Sequence, residues 1–142
     1  MNAITFTLSV HVLVAVLGVG TIGVLPMAAR SARRADVALS VLVVWMRPMF
    51  LTARLSLLFA FASGALLDFT FHGAFHRALW FRLAGLLVVA TALCLSRARA
   101  ALARGLSGKL PAPAALRSVE WWGGASVLAV GCIVVLMEWK PF

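Results

Sequence analysis

The sequence predicts an all-α integral membrane protein, a four-helix bundle with both termini outside and basic loops in the cytoplasm, and three observations carry that prediction. The chain is 63% hydrophobic and 12% charged over 142 residues, whereas soluble domains are nearer half apolar and a quarter charged. It contains apolar stretches long enough to cross a bilayer, which takes about 20 residues as a helix. Its basic residues fall in clusters between those stretches, the layout of a topology signal rather than of a nucleic-acid-binding face. A chain this short buries only about 60 to 70% of its unfolded surface, so membrane lipids must serve as its outer solvent. No nucleic-acid partner is expected.

The first span covers about residues 4–25, carries no charge and reaches about 33 Å as a helix. It has no basic n-region and is too long for the apolar core of a secretory signal. Arg30, Arg33 and Arg34 then open a cytoplasmic interfacial segment over about 30–50; a helical region starts in it near Val37, and Arg47 and Pro48 mark a kink or a fresh helix start. A second span follows over about 51–69. The stretch TFHGAFHR reads as a short aromatic turn punctuated by Gly73. The third span, about 80–95, is short, with Arg82 placed to snorkel outward. A basic linker over 97–117 holds Arg97, Arg99, Arg104, Lys109 and Arg117 together with Pro111 and Pro113. The last span covers about 119–139. Trp80, Trp121, Trp122 and Trp139 are expected as anchors at the two membrane interfaces. Ten of the 13 basic residues fall on one side, and only Arg77, Arg82 and Lys140 on the other. Basic residues stay cytoplasmic, which makes residues 1–142 a single multi-pass domain, expected in the bacterial inner membrane.

Within the first span, GVGTIG (Gly18 to Gly23) is spelled like a dinucleotide-binding loop. It lacks the preceding strand and the acid about 20 residues on that such a loop requires. Small residues in a span favour close helix approach instead. His11, Ala15, Gly18 and Ile22 share one helical face, which should look into the bundle. An ionisable residue within a span is a functional candidate: His11 is read as a haem or metal ligand, a redox or proton-relay group, or a structural hydrogen-bonding group.

The predicted topology gathers His11, His72 and His76 on the outer side, with Asp68, Met137 and Glu138 nearby. His72 and His76 are four apart, so a helix there would aim both imidazoles the same way, as zinc or copper binding requires. Asp68 and Glu138 are expected to pair with Arg77, Arg82 or Lys140, and Glu120 with Arg117. Cys94 and Cys132 make neither a disulfide framework nor zinc spacing. Met27, Met46 and Met49 are expected as packing material. No paired carboxylates, Ser/His/Asp set or phosphate loop is present in the sequence.

A histidine in the first span, the tail ending LP, FASGALLD, WFRLAGLL and the closing LMEWKPF together give the chain a resemblance. It is similar to uncharacterised four-helix bacterial membrane proteins of the DUF2269 type, near the CopD-like copper-resistance proteins and the HemJ-type protoporphyrinogen oxidases. The resemblance implies a role for His11, matches Lys140 and Pro141 to a closing Lys-Pro motif, and aligns Glu120 with an acidic residue before the last span. Where the HemJ type has a tryptophan followed by histidine and lysine on the third span, this chain has Trp80, Arg82 and Ala84, so the resemblance does not carry porphyrinogen oxidation. The CopD likeness carries over only His11 and Met137. Three functions are consistent with these readings. One is a non-catalytic accessory or structural subunit of a larger respiratory or photosynthetic membrane complex, or a homo-oligomer. The second is a haem b or redox protein using His11. The third is copper or other metal binding or transport at His11, His72 and His76.

Overall fold

The computed structural model describes residues 3–73 and 75–139. These form four α-helices: α1 (Ala3–Arg34), α2 (Leu39–Thr70), α3 (Leu79–Leu106) and α4 (Ala112–Trp139). All four are long and apolar enough to cross a membrane, and no strand occurs among the described residues. The chain is a small polytopic membrane protein, a helical bundle whose outer surface meets lipid. Leu13, Val16, Trp45 and Leu128 are each at least 60% exposed, a surface that water would not tolerate at this density.

The helices alternate in direction. Connections 35–38 and 107–111 lie at one end, which we call the basic end, and connection 71–78 lies at the other, the aromatic end. The helices overrun the predicted spans. At 32 residues, α1 and α2 are each about 48 Å long, against a hydrocarbon core of about 30 Å. Helix α2 begins at Leu39 and passes through Arg47 and Pro48 without ending, and α3 continues through Arg97, Arg99 and Arg104. The segments expected as interfacial (30–50) and linker (97–117) are therefore helical except at 35–38 and 107–111. Alanine and arginine are strong helix formers, and nothing in SRARAALARGL stops the helix before Ser107. There Gly108 takes φ +72, and the Lys109 N–H reaches back to the Arg104 carbonyl at 3.0 Å, which satisfies a helix-end acceptor and turns the chain.

Around the bundle α2 packs on α1, α1 on α4 and α4 on α3, while α2 and α3 touch least. The dense core sits toward the basic end. It comprises Ile22, Leu25 and Ala29 of α1, Met46, Phe50 and Ala53 of α2, Leu95, Ala98 and Leu102 of α3, and Leu116 and Val119 of α4. Small residues set the helix separations. A Cβ added at Gly18 would lie 2.9 Å from the Ser56 Cβ, and one at Gly123 would lie 3.1 Å from Pro26 Cδ. Met46 is fully buried, as packing material should be, whereas Met27 is 69% exposed.

Glu120 does not turn to Arg117 on its own helix. Its carboxylate accepts from Arg33 Nη2 at 2.9 Å and lies 3.7 Å from Arg30 Nε, because α1 runs alongside α4 and brings its terminal arginines to that level. The tryptophans divide. Trp121, Trp122 and Trp139 are exposed. Trp80 is instead buried against Phe75 and Phe81, with ring centroids 5.8 and 5.7 Å away. It closes the aromatic end from inside rather than facing lipid.

Candidate functional site

The half of the bundle opposite the dense core is loosely filled. A cavity of about 190 Å³ lies there among all four helices. Small residues on three helices leave room for it, Ala15 and Gly18 from α1, Ala60 and Gly64 from α2, Ala84 and Gly85 from α3, and larger apolar groups such as Leu57, Phe81 and Ile133 complete the lining. Of the face singled out in the sequence, His11, Ala15, Gly18 and Ile22 all line it, and Gly18 also sets the α1–α2 contact through Ser56. Met137 lines it from α4, and among the described residues His11 is its one titratable side chain.

Ser63 of α2 is the hydrogen-bond partner of the His11 ring. The Ser63 hydroxyl is 2.8 Å from His11 Nδ1 and lies 2.7 Å from the Phe59 carbonyl and 3.1 Å from that of Ala60. A hydroxyl has one proton; directed to the Phe59 or Ala60 carbonyl, it leaves Ser63 to accept from His11 Nδ1–H, the tautomer that keeps the Nε2 lone pair free, whereas directed to Nδ1 it gives the opposite tautomer. The ring's Cε1 edge lies where a Cβ on Gly64 would meet it at 3.5 Å. With the proton on Nδ1, this is the arrangement that fixes a ligating or hydrogen-bond-accepting imidazole from behind.

The other two histidines belong elsewhere. The 71–78 connection is a turn, with His72 at φ +55 and Gly73 at φ +72, so the helical spacing that would align His72 with His76 does not apply. Asp68 organises this turn: its Oδ1 accepts from the Phe75 N–H at 2.7 Å and the His76 N–H at 3.0 Å. Its Oδ2 lies 3.5 Å from His76 Nδ1. Asp68 thus holds backbone donors and His76 rather than Arg77 or Arg82, and Arg82 Nε donates to the His76 carbonyl at 2.9 Å. Among the described residues no three His, Cys, Asp or Glu side chains converge into a set that could hold a metal ion. The structure does not bring His11, His72 and His76 together as one. The Lys140 and Pro141 motif lies outside the described residues, as does any pairing of Glu138 with Lys140.

The donor set and the space can be tested against the two groups that the sequence raised. Haem iron needs an imidazole nitrogen, which His11 Nε2 provides in the Nδ1–H tautomer. A tetrapyrrole needs far more room than this cavity, which is smaller than the roughly 300 to 1,000 Å³ of ordinary ligand pockets, and among the described residues no cation lines it to meet propionates. Copper favours soft donors, and the lining offers His11 and Met137 from facing helices. Sequence reasoning missed Ser63 and the small residues of α2 and α3, whose placement follows from helix register.

The chain matches no protein-family model, curated protein or solved structure.

Proposed function

We propose that this chain is a non-catalytic accessory membrane protein whose bundle seats a small apolar ring carrying one hydrogen-bond donor. The cavity beside His11 is the observation that carries the reading. Its volume of about 190 Å³ is enough for a benzene-sized ring, which apolar engineered cavities of about 150 Å³ take up. Its lining is apolar apart from one imidazole, and in its Nδ1–H tautomer that imidazole presents a free acceptor, Nε2. Among the described residues the cavity lining supplies no second titratable side chain, so no acid–base pair is assembled beside His11. A phenol or hydroquinone head fits both features: its ring fills apolar space and its O–H bonds to Nε2. Such heads belong to the lipid-soluble molecules of respiratory and photosynthetic membranes, which connects the cavity to the subunit role. Open space at Gly20 and Gly23 of α1 and at Gly124 and Gly131 of α4 supports approach of a partner helix. The family resemblance and the arginine bias support a bacterial inner-membrane location with the basic end cytoplasmic.

Thermal unfolding of the purified protein in mild detergent, with p-cresol and toluene as probes, tests the cavity. p-Cresol should raise the midpoint more than toluene, the difference should vanish in His11→Leu, and both effects should vanish in Gly64→Leu. Equal stabilisation by the two probes would remove the role of His11, and no stabilisation by either would remove the cavity reading. Blue native electrophoresis tests the subunit role, which fails if the chain migrates only as a small free protein. A Soret band lost in His11→Ala would replace the phenol reading with haem, and stoichiometric copper lost in His11→Ala and Met137→Leu would replace it with a metal.

A further inference from the structure

Toward the basic end, the seam where α2 and α3 touch least carries a second feature, separate from the His11 cavity. A groove of about 390 Å³ runs between the two helices, lined by Arg47 and Arg54 of α2 and Arg99 of α3 over a floor that includes Phe50, Leu102 and Leu106. Arg47 and Arg54 are seven residues apart, two turns along one helical face and about 10 Å in rise. None of the three arginines forms an ion pair among the described residues. The cause lies in the supply of acids, of which the chain has four. Glu120 is held by Arg30 and Arg33, and Asp68 organises the turn at the far end. Glu138 sits in the last turn of α4, also at the far end. Asp36 lies in the connection before α2, and Arg47 stands a further ~12 Å along that helix from its start at Leu39. Charge balance at the groove must come from outside the chain.

Depth sharpens the point. The His11–Ser63 bond and the Gly18–Ser56 contact fix the antiparallel register of α1 and α2. On that register Arg54 stands level with Gly20, about 15 Å of helix from Arg30, the first charge on α1. An arginine beside so apolar a stretch requires an anionic partner or must snorkel. The other two arginines lie nearer the basic end on the two sides of the groove.

We infer that the Arg47, Arg54 and Arg99 groove binds the phosphate headgroup of an anionic phospholipid, with an acyl chain lying on the Phe50, Leu102 and Leu106 floor along the α2–α3 seam. Guanidinium groups match phosphate oxygens in planar, two-point hydrogen bonding. Basic pockets between membrane helices hold such headgroups. The apolar floor is what separates a lipid from free phosphate, which would gain nothing from it.

Native mass spectrometry of the full chain released from detergent tests the site, with dioleoylphosphatidylglycerol, dioleoylphosphatidylcholine and inorganic phosphate as probes. The phosphatidylglycerol adduct should exceed the phosphatidylcholine adduct. Arg→Gln at 47, 54 or 99 should each weaken it about fivefold, the factor that corresponds to about 1 kcal/mol per basic residue. Arg97→Gln and Arg117→Gln, outside the groove, should leave it within about twofold. Equal retention of the two lipids would overturn the inference. So would equal weakening by the two control substitutions, or displacement of phosphatidylglycerol by inorganic phosphate alone. Circular dichroism verifies the helix in each variant, and where a glutamine variant loses it, the corresponding Arg→Lys decides: retained binding supports the site and lost preference over phosphatidylcholine contradicts it.

Discussion

Replacing Gly18 by alanine, compared with the same change at Gly20, isolates the cost of the closest helix approach in the bundle's centre. A Cβ at Gly18 falls 2.9 Å from the Ser56 Cβ, whereas one at Gly20 meets nothing within 4 Å. Carbon atoms rest at about 3.5 to 4.0 Å, so α1 and α2 must part by roughly 0.6 Å or more, or Ser56 must move with its backbone. Overpacking of this kind costs about 1 to 3 kcal/mol. Both substitutions gain the same helix propensity, about 1 kcal/mol, and that gain cancels in the comparison. Gly18→Ala should therefore be less stable than Gly20→Ala by about 1 to 3 kcal/mol, measured by chemical unfolding in mild detergent with tryptophan fluorescence. Adding Ser56→Gly removes the obstructing carbon and should recover much of the loss, a coupling that distant sites do not show. If Gly18→Ala equals or exceeds Gly20→Ala in stability, or if Ser56→Gly gives no relief, the α1–α2 contact is not where we place it.

Glu120→Ala removes the acceptor for Arg33 and Arg30 and leaves a partly buried guanidinium unpaired; it should cost about 1 to 3 kcal/mol, while Arg117→Ala should change stability little in the same unfolding measurement. Asp68→Ala strips the 71–78 turn of the acceptor for two backbone N–H groups, and limited proteolysis should then cut there. Asp68→Asn keeps Oδ1 and should protect the turn nearly as well as the natural residue, so rapid cleavage of both variants would show that the hydrogen bonds do not order it.

The four helices were legible because long, sparsely charged apolar stretches have no alternative to lipid, and the connection at 71–78 carried its own turn signal in Gly73. The start of α2, expected near Val37 and found at Leu39, was legible, whereas the end of α3 was not. Charge marks where a chain leaves the membrane but does not stop a helix, and α3 runs on through Arg97, Arg99 and Arg104 until Gly108 turns it. Side-chain partners were hidden for a related reason. His11 and Ser63 stand about equally far from the 35–38 connection, so their pairing emerges only once that turn fixes the register. Glu120 was matched to Arg117 by nearness in sequence, whereas the α1–α4 contact gives it Arg33. The buried Trp80 shows the limit of the aromatic-belt rule: a tryptophan at a span end serves the interface only if its helix face looks outward.

The central claim is that four helices cross the bilayer in alternating direction, with connections 35–38 and 107–111 on one side and 71–78 on the other. Single cysteines at Asp36, Lys109 and Arg77, in a background carrying Cys94→Ser and Cys132→Ser, can be labelled in sealed cells with a membrane-impermeant maleimide. Positions 36 and 109 should react only after the membrane is opened, and position 77 should react without opening. Labelling of 77 and 109 from the same side would contradict the architecture and, with it, both sites built upon it.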